Sequence, residues 1–102
     1  MGTVMALPKS VKVGALRLPV RVVEEIPVDG GGNASGQWLY ATGEIQVSRS
    51  RNPSEAEQRE VVLHEALHVI DEALGIGLRE RQVTALGHAL HALLVDNPKL
   101  MG

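Results

Sequence analysis

The spacing of apolar and polar positions changes near the middle of the chain. Residues 11–26 (VKVGALRLPVRVVEEI) are rich in β-branched side chains with partial alternation, which predicts a strand. Pro19 lacks an amide donor, so this strand is expected at a sheet edge or broken at that residue. Residues 28–36 (VDGGGNASG) are turn chemistry, with several positions free to take positive φ, and predict a hairpin loop or a flap. They precede a strand and carry no Lys-Ser/Thr ending, which argues against a phosphate-cradling loop. Residues 37–42 and 44–48 read as two short strands around a Thr42-Gly43 turn. On the first of these Trp38 and Tyr40 share one face, with Leu39 and Ala41 on the other, and both aromatics are expected to cover the core. Residues 1–10 read as a loose arm.

From residue 52 the period becomes helical. Asn52-Pro53-Ser54-Glu55 predicts a helix start in which Asn52 caps, Pro53 takes the first helical position and Glu55 completes a capping box. The helix is expected to run to about Leu74, with Gly75 as its stop. Val61, Val62, Leu63, Ala66, Leu67, Val69, Ile70, Ala73 and Leu74 give it a broad apolar stripe. A short link, Gly75-Ile76-Gly77-Leu78, leads to a second helix over about 79–95, ended by Asp96-Asn97-Pro98. Leu78, Val83, Leu86, Leu90, Leu93 and Leu94 are expected to face the first helix. The predicted class is α+β: one domain with a small antiparallel sheet of about three strands (11–50) followed by two helices (52–96).

Composition narrows the chemistry. A chain of 102 residues with one Trp, one Tyr and no Phe must build a modest core from aliphatic side chains. A formal net charge of −2 gives no basic field for phosphates, so no nucleic-acid partner is expected. With no cysteine, any zinc site must use His and carboxylate ligands. The first residues lack a basic n-region followed by a long apolar stretch and match myristoylation poorly. No apolar run is long enough to span a bilayer, so a cytoplasmic protein without a membrane partner is expected.

Within the first helix lies His64-Glu65-Ala66-Leu67-His68, an HExxH pattern. Four helical residues advance about 400° and rise about 6 Å, so His64 and His68 stand one above the other. Two imidazoles so placed can hold one Zn²⁺, and in this motif the intervening glutamate activates the attacking water and carries its proton. The plain alternative is an amphipathic helix with two ordinary histidines and a surface glutamate. The helical lead-in and exit around the motif favour the metal.

A catalytic zinc site needs three protein ligands and an open position. Asp71, Glu72, Glu80 and His88 are the candidates for the third. Asp71 lies near the same helix face but about 4.5 Å above His68 by helix rise, which suits a contact that orients a ligand imidazole, or a surface charge. Glu72 is expected in solvent. Glu80 is the first carboxylate of the second helix and is preferred over His88. A strict antiparallel hairpin, however, matches the level of the motif with residues 84–88, and Glu80 reaches the site only if the helix crosses steeply or the glycine link folds back. Tyr40 is a candidate transition-state donor, alongside His88, Arg79 and Arg81.

The blocks Leu63-His64-Glu65-Ala66-Leu67-His68-Val69-Ile70-Asp71, Leu78-Arg79-Glu80-Arg81-Gln82-Val83 and Leu94-Val95-Asp96-Asn97-Pro98 resemble a group of very small HExxH proteins. That group is common in bacteriophages and mobile elements and is described as zinc metallopeptidases of minimal, gluzincin-like zincin type. The resemblance covers residues 63–98; the β-rich half matches only in layout. It implies His64, His68 and Glu80 as zinc ligands, Glu65 as general base and a bacterial-cytoplasm setting. Arg79 departs from the helix-capping Ser or Thr common there. The expected function is a zinc metallopeptidase acting on a protein or peptide that adds to a sheet edge such as 44–48. The rivals are a zincin-like zinc-binding protein acting through protein contacts, and a metal-free helix-pair module.

Overall fold

The computed structural model describes residues 7–102. Four strands are followed by two helices: β1 (Ser10–Val13), β2 (Leu16–Val23), β3 (Gly36–Trp38), β4 (Ile45–Ser48), α1 (Glu55–Leu74) and α2 (Glu80–Asp96). The class is α+β, as the change of period requires. The sheet has four strands rather than about three and is mixed rather than antiparallel. Its order is β1-β2-β4-β3, with β2 and β4 parallel and the two outer pairs antiparallel.

The extra strand comes from residues 11–26, which divide at Gly14, not at Pro19. Val13 pairs with Leu16, so Gly14 and Ala15 form a two-residue turn, and Gly14 takes φ 59° at its first central position. Pro19 therefore lies inside β2, an interior strand. Val20 donates its amide toward β1, to the Lys9 carbonyl (2.9 Å), so the proline nitrogen turns to the other side. There the ladder to β4 begins only at Val20↔Ile45, and no hydrogen bond is lost. The parallel pair follows from the long excursion over 24–44, which carries β3 outside β4 before β4 returns beside β2.

Ile45 and Val47 of β4 are fully buried and form the core with Leu18, Val62 and Val69. Trp38, Val61 and Leu7 pack around it. Of the expected loose arm, residues 1–6 lie outside the described residues, whereas Ser10 already belongs to β1. The glycine loop is tied down: Asn33 Oδ1 accepts from the Ile26 amide (2.7 Å), Ala34 donates to the Ile26 carbonyl (2.9 Å) and Pro27 bridges to Asn33. The strand expected over 37–42 is reduced to Gly36–Trp38. The Leu39 amide donates to the Glu44 carbonyl, and Gly43, at φ 73°, donates back to the Leu39 carbonyl, so the chain already turns at Tyr40.

The α1 start differs from the expectation. Ser54, not Asn52, is the N-cap, and its partner is Glu57: Ser54 Oγ accepts from the Glu57 amide (3.1 Å), and the Ser54 amide donates to Glu57 Oε1 (3.2 Å). Asn52 is buried and donates from Nδ2 to the carbonyls of Ser35 (3.1 Å) and Ser48 (3.0 Å). It thereby ties the approach to β3 to the end of β4 just before α1. The α2 face against α1 is also narrower than the leucine spacing implied. Val83 and Gly87 are buried, whereas Leu86, Leu93 and Leu94 are exposed.

Candidate metal centre

The first two blocks of the motif half, residues 63–71 and 78–83, meet at an open cleft of about 800 Å³, whereas Leu94, Val95 and Pro98 of the third line a separate apolar groove. α1 and α2 run antiparallel. A Cβ built on Gly87 would lie 3.6 Å from His64 Cα and 3.7 Å from Leu67 Cδ1, so the two backbones are closest there, where α2 presents no side chain. The residue that reaches the motif is Glu80. Its Oε1 is 2.8 Å from His64 Nε2 and its Oε2 is 2.9 Å from His68 Nε2. The objection raised by the hairpin register is met by the folded link described below, which sets the first turn of α2 beside His68.

His64, His68 and Glu80 each offer one ligand atom, all within 4.8 Å of one another, and are the sole such set among the described residues. Across a tetrahedral zinc with bonds of about 2.0–2.1 Å, ligand atoms stand about 3.3 Å apart. The two His–Glu contacts, at 2.8 and 2.9 Å, are shorter than that spacing and are made by the two different oxygens of Glu80, one of which would serve as ligand. Two imidazole nitrogens and one carboxylate are a donor set of catalytic type with a fourth position open. The residues fit the metal.

Glu65 follows His64 directly and precedes His68 by three residues, about one turn. Its Oε2 lies 4.0 Å from His64 Nε2, and the residue is 8% exposed. Burial raises its carboxyl above the ordinary carboxylate range; the charges of His64 and His68 oppose that rise and the Glu80 carboxylate adds to it. Its neighbour on the sheet is Gly36. A Cβ there would overlap Val61 Cγ1 and come within 3.1 Å of the Gln46 carbonyl and 3.4 Å of Glu65 Oε2. The close approach of β3 to the motif helix therefore requires glycine at 36, a demand that the glycine-rich run hides among its neighbours.

The other candidates are placed elsewhere. Asp71 is neither a ligand nor a partner of a ligand imidazole: its Oδ1 accepts the amides of Gly77 (2.8 Å) and Leu78 (3.0 Å). His88 is not a ligand either; its Nδ1 is 3.0 Å from Glu60 Oε1. Both nevertheless line the cleft, as does Glu72. Tyr40 lines it too, stacked on Trp38 with ring centroids 4.4 Å apart, and at 67% exposure it does not cover the core. Trp38 does pack there. Arg79 and Arg81 are not among the lining residues.

The chain matches no described protein family, no curated protein and no solved structure.

Proposed function

We propose that this protein is a minimal zinc metallopeptidase. One observation carries the reading: His64, His68 and Glu80 converge as a three-donor set beside a buried Glu65, in a cleft that runs along a free strand edge. A zinc ion held by His64, His68 and Glu80 would supply a water acidic enough to lose its proton near neutral pH and would polarise the carbonyl under attack. Glu65 would take that proton and return it to the leaving amine. Its raised affinity for a proton suits both halves of the task, since a base too acidic would not hold the proton between the two transfers.

The free edge is β3, not the 44–48 segment, because β4 is enclosed between β2 and β3. Leu39 donates to Glu44 and Ser35 accepts from Ser48, so the backbone groups of Gly36 and Trp38 point away from β4, toward the cleft. An extended peptide pairing with them would lie across His64 and Glu65. Glu57, Glu60, Asp71 and Glu72 line the same cleft, and no Lys or Arg does among the described residues, which favours a peptide with basic side chains. Tyr40 is the side chain we assign as donor to the developing oxyanion.

The resemblance of residues 63–98 supplies the setting we propose, a phage-encoded protein in the bacterial cytoplasm. No helix of the described residues is long and apolar enough to cross a membrane. The second reading, a zinc-binding protein that acts by contact, draws on the exposed Leu86, Leu93, Leu94 and Val95 of α2. Metal analysis and a peptide library, run on the wild type and on Glu65→Gln, separate the two. The peptidase reading expects one zinc in each and cleavage by the wild type alone. Zinc without cleavage in the wild type moves the assignment to the contact protein, and absence of zinc removes both.

A further inference from the structure

The third ligand comes from a different helix than the first two, and its side chain is 67% exposed, so packing does not hold it in place. What fixes Glu80 is the backbone of the link before it. α1 ends in a left-handed Gly75 (φ 62°), with the Gly75 amide on the Glu72 carbonyl (3.3 Å) and the Ile76 amide on the Asp71 carbonyl (3.2 Å). Gly77 then takes φ 84°, and its amide and that of Leu78 both donate to Asp71 Oδ1. The Arg79 amide donates to Gln82 Oε1 (2.8 Å), and α2 begins at Glu80. Of the four successive amides from 76 to 79, Asp71 accepts three, one on its carbonyl and two on its carboxylate.

Asp71 lies three residues after His68 on the same helix. One side chain thus joins the helix that carries His64 and His68 to the turn that delivers Glu80. We propose that Asp71 is a positioning residue for the metal centre: by folding the glycine link back onto α1, it holds Glu80 at the two imidazoles before any metal arrives. The inference rests on the zinc reading above. Its carboxylate acts on the metal centre through the link and not as a ligand, and a charged acceptor suits two converging amides better than a neutral one.

The test is the zinc affinity of wild type, Asp71→Ala, Asp71→Asn, Glu80→Ala and the double variant Asp71→Ala/Glu80→Ala, measured by competition with a chromophoric chelator. Melting of each metal-free protein is measured beside it. Removing an outer support of a metal site costs about 10–100-fold in affinity, and that loss is expected for Asp71→Ala. Asp71→Asn keeps an accepting oxygen and should lose less. In the Glu80→Ala background, Asp71→Ala should cost no further affinity. Ser54→Ala, which weakens the opposite end of α1, should lower the melting temperature and leave zinc affinity unchanged. An Asp71→Ala affinity equal to wild type, or a loss of the same size with and without Glu80, overturns the proposal. If Asp71→Ala does not fold, Asp71→Asn replaces it in the same cycle with the same two outcomes. A wild type that binds no zinc overturns the metal reading itself, a result distinct from either.

Discussion

The helix pair holds two clusters of two histidines and one glutamate, built with opposite roles. In one, α1 supplies His64 and His68 and α2 supplies Glu80, whose two oxygens each meet one Nε2. In the other, α2 supplies His88 and His91 and α1 supplies Glu60, a single oxygen of which lies 3.0 Å from one Nδ1 and 3.8 Å from the other. Spacing explains part of the difference. Histidines four apart on a helix stand about 40° apart around its axis and those three apart about 60°, and here His88 is 76% exposed while His91 is only 20% exposed. The presence of a buried second acid explains the rest: Glu65 adjoins the first cluster, and no counterpart adjoins the second among the described residues. The same residue types make a candidate three-donor metal site in one place and a cross-helix bridge in the other.

The sharpest break of this comparison is chemical. Glu65→Gln should lower peptide cleavage by about 10²–10⁴-fold, the usual worth of a positioned acid–base group, and leave zinc bound. Retained cleavage in that variant would sink the mechanism. His64→Ala should abolish stoichiometric zinc binding measured by the chelator competition, whereas His88→Ala should leave it intact. If His88→Ala also loses zinc, the two clusters are not distinct in role.

A structural break comes next. Gly36→Ala places a methyl group against Val61 and beside Glu65 in the narrowest part of the β3–α1 contact. Such overpacking costs about 1–3 kcal/mol, which lowers the melting temperature by several degrees in a domain of this size. An unchanged melting temperature would show that β3 can move away from α1, and that the cleft is less rigid than the core beneath it.

The motif was legible because helix geometry alone puts His64 and His68 on one face, and Glu80 followed from the opening of the next helix. What the sequence did not reveal is whatever depends on two distant segments meeting. Asp71 looks like a residue of the motif face, yet its carboxylate is taken by amides six and seven positions ahead. Asn52 and Ser54 are both plausible caps. Each has a glutamate three residues on; Ser54 prevails because Asn52 is drawn into the sheet–helix junction, where its Nδ2 donates to Ser35 and Ser48. The leucines of α2 imply a wide contact face, but Gly87 brings the helices so close at His64 that Leu86 and Leu93 are left outside. The parallel β2–β4 pair has no local signal, since strand direction within a sheet is set by the route of the connection. The sequence does show a turn glycine at 14, which would have divided the first strand correctly.

The two clusters should also differ in how pH acts on the metal-free protein. Burial holds the Glu65 carboxyl above its unfolded value, so its contribution is fully present below the unfolded carboxylate range. It is lost as pH rises through the raised folded value, because the charged form is then the poorer fit. Glu65→Gln stays neutral throughout. Urea midpoints measured with chelator present should therefore favour Glu65→Gln increasingly across that window and run parallel above it. A gap that closes as pH rises would contradict the burial of Glu65.

The smallest effect belongs to the second cluster. Glu60 is 39% exposed and His88 76%, so their pair should contribute less than about 1 kcal/mol in a double-mutant cycle. His91 sits differently. It lines an apolar groove with Leu63, Ala66, Leu94 and Val95, and its Nε2 is buried without a hydrogen-bond partner among the described residues. A buried, unsatisfied polar atom is costly to keep, and an apolar replacement of similar shape removes that cost. His91→Leu should thus leave zinc affinity unchanged and be neutral or slightly stabilising in urea melts. A loss of stability would mean that the Nδ1 contact to Glu60, long at 3.8 Å, outweighs the unpaired nitrogen on the other side of the ring. The bridge between the helices would then support the hairpin independently of the proposed metal site.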